Sequence, residues 1–239
     1  MRSKGSIQII QTLKRVLLFL VAAQFIYIII LKWVDPPITI TQFESLVGEA
    51  GLKRDYVALD AISPHACLAV IAAEDQLFAD HNGFDVKSIK KVLETRDQKK
   101  AARLRGASTI SQQVAKNVFL WQGRSWLRKG MEVYFTFMIE VVWGKKRILE
   151  VYLNVIEMGN GIFGIEAASQ HYFKKPASRL TQTESAKIAA CLPNPKKYIV
   201  IPTSPYVARR YLWVLGQMHN LQGDAAISQI IHPRRNTSK

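Results

Sequence analysis

The longest apolar stretch of the sequence lies near its amino terminus. Residues Val16 to Leu31 (VLLFLVAAQFIYIIIL) carry no charge, and Trp33 and Val34 continue the apolar pattern beyond Lys32. The stretch 16–34 spans 19 residues. At a rise of about 1.5 Å per residue, a helix of this length crosses a bilayer core of roughly 30 Å. We therefore expect a single transmembrane signal-anchor helix over 16–34.

Basic residues precede this stretch, at Arg2, Lys4, Lys14 and Arg15. Cytoplasmic flanks of membrane spans are enriched in Lys and Arg, so we expect 1–15 to be a cytoplasmic basic segment and the remaining chain to lie outside the cell membrane. A cleaved signal peptide is the competing interpretation. No small-x-small cleavage site follows the apolar run, since the sequence continues as KWVDPP.

Beyond the anchor the apolar positions recur mainly at helical spacing. Asp35-Pro-Pro ends the first helix, and ITITQF (38–43) has the look of an extended segment, so 35–61 is predicted to be a linker leading into the domain. No β–α alternation is visible. A mainly α-helical domain is predicted over 62–239, a length that suits one catalytic domain and not two.

Local signals place several of its helices. Ser63 before Pro64 predicts a helix start, and Thr181-x-x-Glu184 is a capping box that predicts another. Apolar residues at helical spacing predict a long amphipathic helix from about Ser125 to Trp143 and a further one over Lys145 to Asn154.

Charge narrows the class of partner. The chain has 239 residues with 33 basic and 18 acidic side chains, a formal net charge of +15. This excess favours an anionic partner: nucleic acid, anionic lipid or a phosphorylated substrate. The outward topology strongly disfavours nucleic acid, and a membrane-tethered nucleic-acid binder, which would need the opposite topology, is kept only as an alternative. For Cys67 and Cys191 a disulfide is conceivable, but two buried free thiols are favoured.

Two adjacent acids end an apolar helix in IAAEDQLFADHNGF, at Glu74 and Asp75. A carboxylate at the edge of apolar surroundings has a raised pKa and can act as a proton acceptor. The alternative is a helix that simply ends and exposes its acids to solvent. These residues alone favour that alternative.

Hydroxyl, amide and basic side chains crowd the segment RGASTISQQVAKN, from Arg105 to Asn117. A helix amino terminus of this composition can bind a phosphate or an oxyanion. Helix capping alone would explain Ser108 and Thr109, but we do not expect it to explain Gln112 and Gln113.

A second carboxylate, Glu132, follows Arg128 by four residues. The two can form a surface ion pair worth only about 0.3–0.5 kcal/mol. The five histidines form no H-x-x-x-H pair and the cysteines no C-x-x-C, so no metal site is predicted.

Taken together, the motifs resemble those of the family-51 peptidoglycan glycosyltransferases. E-D-x-x-F-x-x-H-x-G is matched from Glu74 to Gly83, and G-x-S-T-I-[ST]-Q-Q from Gly106 to Gln113. R-K-x-x-E is matched from Arg128 to Glu132, and K-x-x-I-L-E-x-Y-L-N from Lys145 to Asn154. The resemblance covers roughly 62–218. One departure is Lys174, where the family usually has glycine.

The resemblance implies a mainly α, lysozyme-like, two-lobed glycosyltransferase domain behind the single transmembrane helix. It implies polymerisation of lipid II into glycan strands with release of undecaprenyl pyrophosphate. Glu74 resembles the general base, while Asp75 is expected to organise its surroundings. Glu132 resembles the second essential carboxylate, which positions basic groups or a metal ion near the leaving group. The implied substrate-binding residues are Lys116, Arg124, Ser108, Gln112, Arg128 and Lys129.

The expected partners are lipid II, the growing lipid-linked glycan, the membrane, and cell-wall synthesis or division proteins, without nucleic acid. No tightly bound cofactor is expected, although a divalent cation such as Mg2+ can assist at the pyrophosphate. The expected location is the inner membrane, with the catalytic domain periplasmic. The resemblance ends near Met218, which leaves no room for a penicillin-binding transpeptidase domain. A lysozyme-like lytic transglycosylase and an inactive peptidoglycan-binding scaffold are the alternatives.

Overall fold

The structure, a computed structural model, describes residues 4–86, 90, 108–123 and 125–232, and it divides the chain into two units, 1–35 and 36–239. The first unit contains helix α1 (Lys4–Ile30). Its segment Ile10–Ile30 has a mean hydropathy of 2.1 over an apolar window and could cross a membrane by length and composition. A signal sequence near an amino terminus has the same character. The helix ends at Ile30, before the predicted Val34, and residues 31–33 form a turn.

The second unit is mainly helical among the residues that the structure describes, as the sequence predicts. In chain order its helices are α2 (Ile40–Val47), α3 (Pro64–Glu74), α4 (Ile110–Phe119), α5 (Trp126–Val142), α6 (Lys145–Val155), α7 (Ile165–Phe173), α8 (Gln182–Cys191), α9 (Pro205–Leu221) and α10 (Ala225–Ile231). Short 3-10 turns lie at Leu59–Ala61 and Ala177–Arg179.

The predicted helix starts are confirmed by their capping contacts. The Ser63 hydroxyl accepts a hydrogen bond from the His65 N–H at 3.3 Å before α3. Thr181 and Glu184 form the predicted capping box of α8, and Ser125 caps α5 by accepting from the Arg128 N–H at 3.1 Å. Each hydroxyl satisfies an amide that the first helical turn leaves without a partner.

The extended interpretation of ITITQF is wrong, because α2 begins inside it. The Thr39 hydroxyl accepts from the Gln42 N–H at 3.2 Å, and the Gln42 side-chain oxygen accepts from the Thr39 N–H at 3.1 Å. This is a complete capping box of the T-x-x-Q form. The two prolines just before it favour a linker, whereas the capping residue Thr39 lies two residues after the second proline.

The structure also contains a small sheet that was not predicted, because its strands are too short to give a recognisable pattern in the sequence. It consists of β1 (Lys53–Arg54), β2 (Glu157–Gly159) and β3 (Ile162–Phe163) in the order β1-β3-β2. Strand β3 pairs parallel to β1 and antiparallel to β2. Strands of two or three residues show no alternation that sequence reading could detect.

Helix α3 lies at the centre of the core, since every residue from Ala66 to Ala72 is buried. It packs against α8 and α9, while α4 packs against α5 and α6. Cys67 and Cys191 are free and buried in this core, as the sequence predicts. The buried helix α3 ends at Glu74. This residue therefore lies at the edge of the core, beside α4.

Candidate active site

Glu74 ends α3 next to the side chain of Gln113 on α4. The Gln113 amide NH2 donates a hydrogen bond to Glu74 Oε2 at 2.8 Å. Among the residues that the structure describes, Glu74 Oε1 accepts no hydrogen bond, so this oxygen is left for a ligand. The expectation of a solvated helix end is therefore wrong for Glu74, whose carboxylate is held in a partly buried position.

Burial raises the pKa of Glu74, because removal from water disfavours the charged carboxylate, and the negative charge of Asp75 raises it further. The hydrogen bond from Gln113 and the positive charges of Arg210 and Lys116 act in the opposite direction. The net shift is upward. A carboxylate with these properties can accept a proton from a hydroxyl group near neutral pH.

Asp75 is buried and joins the loop after α3 to the start of α4. Its Oδ2 accepts from the Ile110 N–H at 2.9 Å, and its Oδ1 lies 2.9 Å from His81 Nε2. The other ring nitrogen of His81 accepts from the Gly83 N–H at 3.1 Å, so Nε2 carries the proton and donates to Asp75. These contacts agree with an organising role for Asp75 and a structural one for His81.

Gly83 closes this loop against α5. It has a φ of +85°, and a Cβ at this position would lie 2.8 Å from Thr136 Cγ2. The Gly83 carbonyl accepts from the Thr109 hydroxyl at 2.7 Å. Glycine is therefore required both by the left-handed backbone and by the close approach of α5.

Glu132 is 4% exposed and contacts two cations. Its Oε2 lies 2.7 Å from Arg128 Nη1, and its Oε1 pairs with Lys129 Nζ. The alternative of a surface ion pair is wrong, because Glu132 is buried and the Arg128 side chain is only 11% exposed. A buried carboxylate with both oxygens engaged fixes two positive groups in place.

Lys116 on α4 connects the surroundings of the two glutamates. Burial lowers its pKa, as do the positive charges of Arg128 and Lys129, whereas the charges of Glu132 and Glu74 raise it. Lys116 and Gln113 line a cavity of about 330 Å³ that also reaches Leu192 to Pro195. The lysine therefore borders a cavity and lies close to the cations Arg128 and Lys129.

A larger cavity of about 520 Å³ borders Glu74 itself. Glu74, Ser108, Arg210 and Trp213 line it. Arg210 donates to the Ala73 carbonyl at 3.3 Å and lies over the Trp213 ring at 5.0 Å. Glu74 thus has a ligand-sized space beside it.

The predicted site residues come together only in part. Ser108 lines the cavity at Glu74, and Arg128 and Lys129 surround Glu132. Gln112 completes the capping box of α4, its side-chain oxygen accepting from the Thr109 N–H at 3.1 Å, so helix capping does explain this residue, contrary to expectation. Arg124 lies outside the described residues.

Sequence reasoning missed three residues near Glu74. Gln113 had a signal, since it follows Gln112 in the motif, and Tyr152 lies in the K-x-x-I-L-E-x-Y-L-N block. Arg210 lies on α9, far from any motif that suggested chemistry, and no pattern singles it out.

Comparisons with known proteins identify the family of the chain. A family model described as "Transglycosylase" matches residues 41–219. The chain belongs to this family. It is a monofunctional transglycosylase of the family-51 type, with the lysozyme-like glycosyltransferase fold.

Its relatives include biosynthetic peptidoglycan transglycosylases from several bacteria. The protein from Yersinia pseudotuberculosis is 48% identical over 224 residues, covering 90% of this chain and 92% of the relative. Those from Shigella boydii and Escherichia coli are each 57% identical over 175 residues, covering 73% of this chain and 72% of the relative. None of these three names describes a lytic enzyme or a scaffold.

Proposed function

We propose that the protein polymerises lipid II into linear glycan strands and releases undecaprenyl pyrophosphate during cell-wall synthesis. The observation that carries this proposal is the position of Glu74. A partly buried carboxylate with a raised pKa and one free oxygen borders a large cavity, and its hydrogen-bond partner Gln113 lines a second cavity together with Lys116. An acceptor hydroxyl in one cavity and an anionic leaving group in the other fit this arrangement.

On the acceptor side, Glu74 is the general base. As the 4-hydroxyl of the lipid II sugar attacks the anomeric carbon of the donor, its proton passes to Glu74 Oε1. A new carbon–oxygen bond forms at that carbon while its bond to the pyrophosphate oxygen breaks. The pyrophosphate leaves with the bonding electrons, and Glu74 becomes neutral.

On the leaving-group side, the cations fixed around Glu132 stabilise the developing negative charge. Arg128 and Lys129 are already held by the carboxylate, so they need no reorientation when the pyrophosphate departs. Lys116 and Arg124 are proposed as direct contacts of the pyrophosphate. Ser108 and Gln112 are proposed to line the cleft near the reacting sugars.

A divalent cation does not fit as a ligand of Glu132. Both carboxylate oxygens contact cationic side chains, and no cluster of three His, Cys, Asp or Glu side chains occurs within the described residues. We propose that a cation such as Mg2+, where it assists, accompanies the pyrophosphate.

We propose that α1 anchors the catalytic domain at the outer face of the inner membrane, with its amino terminus in the cytoplasm. The apolar character of helix α1 and the basic residues that precede Val16 support this topology. An alkaline phosphatase fusion at the carboxyl terminus should be active, since that reporter works only outside the cytoplasm. An inactive fusion that is fully expressed would reverse the topology.

We also propose that the protein has no transpeptidase activity, and that its partners are the lipid-linked glycan and proteins of cell-wall synthesis or division. In support, the Yersinia relative is matched over 92% of its length, and its name describes transglycosylation alone. Labelled penicillin should form no covalent adduct with the purified protein. A stable adduct would contradict this part of the proposal.

The function is tested by incubating the purified full chain with labelled lipid II in detergent. Growth of long glycan strands, inhibited by the glycan-polymerase inhibitor moenomycin, is the expected result. Cleavage of preformed glycan without polymerisation would instead establish the lytic alternative. Binding of glycan with neither reaction would establish the scaffold.

A further inference from the structure

The side chain of Gln113 connects Glu74 to a buried tyrosine. The Tyr152 hydroxyl donates to Gln113 Oε1 at 3.2 Å, and the Gln113 NH2 donates to Glu74 Oε2 at 2.8 Å. The three groups lie on α6, α4 and α3 in turn. We propose that Tyr152 and Gln113 are positioning residues that fix the orientation of the general base, an inference that rests on the proposed function of Glu74.

The direction of both hydrogen bonds is set by Tyr152. A phenol has one proton to donate, and Tyr152 is completely buried (0% exposed), where water cannot accept that proton. The acceptor that the structure provides is the carbonyl oxygen of the Gln113 amide. Rotating this amide by half a turn would leave the phenol proton without an acceptor and would direct a carbonyl oxygen at Glu74. The buried hydroxyl therefore selects the orientation in which NH2 meets the carboxylate.

Two consequences follow for the reaction. The carboxylate cannot rotate freely, because Oε2 is held by Gln113, so Oε1 is kept in one place for the incoming hydroxyl. The same hydrogen bond favours the ionised form of Glu74 and keeps its burial from raising the pKa further. Tyr152 stays neutral throughout, since burial and the charge of Glu74 hold its pKa well above the ordinary value.

Among the described residues, the other titratable groups near Glu74 make no hydrogen bond to the side chain of Gln113 or Tyr152. The ones that carry charge are Asp75, Lys116 and Arg210, while Cys191 stays a thiol because burial raises its pKa to about 12. Within the described part of the chain, the titratable and charged groups that act on Glu74 are Asp75 after α3, Lys116 on α4, Tyr152 on α6, Cys191 on α8 and Arg210 on α9. A change in the titration of Glu74 in the variants below therefore reports on Gln113.

The test compares pH–rate profiles of lipid II polymerisation for the wild type, Tyr152→Phe and Gln113→Met. Loss of the oriented donor raises the pKa of Glu74, so the acidic limb of kcat/KM should move to higher pH by roughly half a unit or more. At the optimum, kcat should fall about ten-fold with KM for lipid II little changed, because the Tyr152 hydroxyl is directed at Gln113 and its side chain has no solvent-exposed surface, although it borders the cavity that Lys116 lines. The pH–rate profile of the double variant should match that of Gln113→Met alone, since both changes act through the same hydrogen bond from Gln113 to Glu74.

Two variants of the same residue types control for the loss of a hydrogen-bonding side chain elsewhere in the fold. Tyr172→Phe removes a phenol that donates to the Met158 carbonyl at 3.2 Å, and Gln170→Met removes an amide that donates to Glu166 at 2.9 Å. Neither contact involves Glu74, so both variants should keep the wild-type acidic limb. Thermal melting establishes that each variant is folded.

A folded Tyr152→Phe enzyme whose acidic limb superimposes on that of the wild type overturns the proposal, and so do shifts that add in the double variant. Should Tyr152→Phe fail to fold, an unshifted Gln113→Met profile has the same meaning. Failure of the proposed function looks different, because the wild type itself would then not extend lipid II.

Discussion

Replacing Glu74 with glutamine removes the proton acceptor while almost preserving the shape of the side chain. Loss of a general base typically costs about 10²–10⁴-fold in rate, or about 3–5 kcal/mol in the activation barrier. The glutamine can still accept from the Gln113 NH2 through its own oxygen, so lipid II binding should persist. Strand formation by the purified variant should therefore fall by this factor, with KM almost unchanged.

The stability of the same variant provides an independent check. Burial raises the pKa of Glu74, so the folded protein binds this proton more tightly than the unfolded chain does. Ionisation of Glu74 therefore destabilises the folded protein. This effect is absent below the pKa of Glu74 in the unfolded chain and grows with pH until the pH exceeds the raised pKa of the folded protein. At neutral pH the charge of Glu74 thus lowers the free energy of unfolding, and the Glu74→Gln variant should melt at the wild-type temperature or above it. Wild-type activity should decline as the pH falls through that raised pKa.

Two outcomes would refute this reasoning. A folded Glu74→Gln enzyme that polymerises at the wild-type rate would remove Glu74 from the chemistry. A variant that is inactive but melts well below the wild type would show that the loss of activity reflects damage to the fold. Melting and strand formation are therefore measured on the same preparation.

Three further substitutions test other parts of the site and fold. Lys116→Ala should lower kcat about 10–100-fold if the lysine neutralises the leaving pyrophosphate, and an unchanged rate of strand formation would remove that assignment. Asp75→Asn should destabilise the domain by about 1–3 kcal/mol, lowering Tm by about 2–4 °C per kcal/mol, while reducing strand formation less than Glu74→Gln does. Lys174→Gly should raise the melting temperature, because Lys174 has a φ of +56°, which costs a residue with a Cβ about 1–2 kcal/mol. A lower melting temperature in the glycine variant would contradict this explanation.

The helices were predictable wherever a capping residue and a helical apolar pattern coincide. Ser63 and Thr181 mark two helix starts because a short hydroxyl side chain satisfies the free amides of the first turn. At Thr39 the same signal was present, but the two preceding prolines drew the interpretation toward an extended linker. At Lys174 the usual signal is missing: the residue that ends α7 has the left-handed conformation, but it is not the glycine that would have predicted it.

The candidate site was less predictable because its contacts join residues far apart in the sequence. Adjacent acids at Glu74 and Asp75 look like a solvated helix end, and the sequence does not show that α4 supplies Gln113 to one and the Ile110 amide to the other. Gln112 and Gln113 are neighbours with different contacts, since successive residues point to different sides of a helix. One caps its own helix and the other reaches Glu74.

The surroundings of the two glutamates suit them to the two different roles proposed for them. Each oxygen of Glu132 is engaged by a cation, Arg128 on one side and Lys129 on the other, so neither is free to take a proton from an acceptor hydroxyl. Glu74 instead meets a neutral amide through one oxygen and keeps the other available. A carboxylate surrounded by cations is suited to holding positive charge near a departing anion, whereas one held by an amide in a partly buried position is suited to accepting a proton. We therefore propose that the two residues do not exchange roles, with Glu74 next to the acceptor hydroxyl and Glu132, among the basic residues of α5, next to the leaving pyrophosphate.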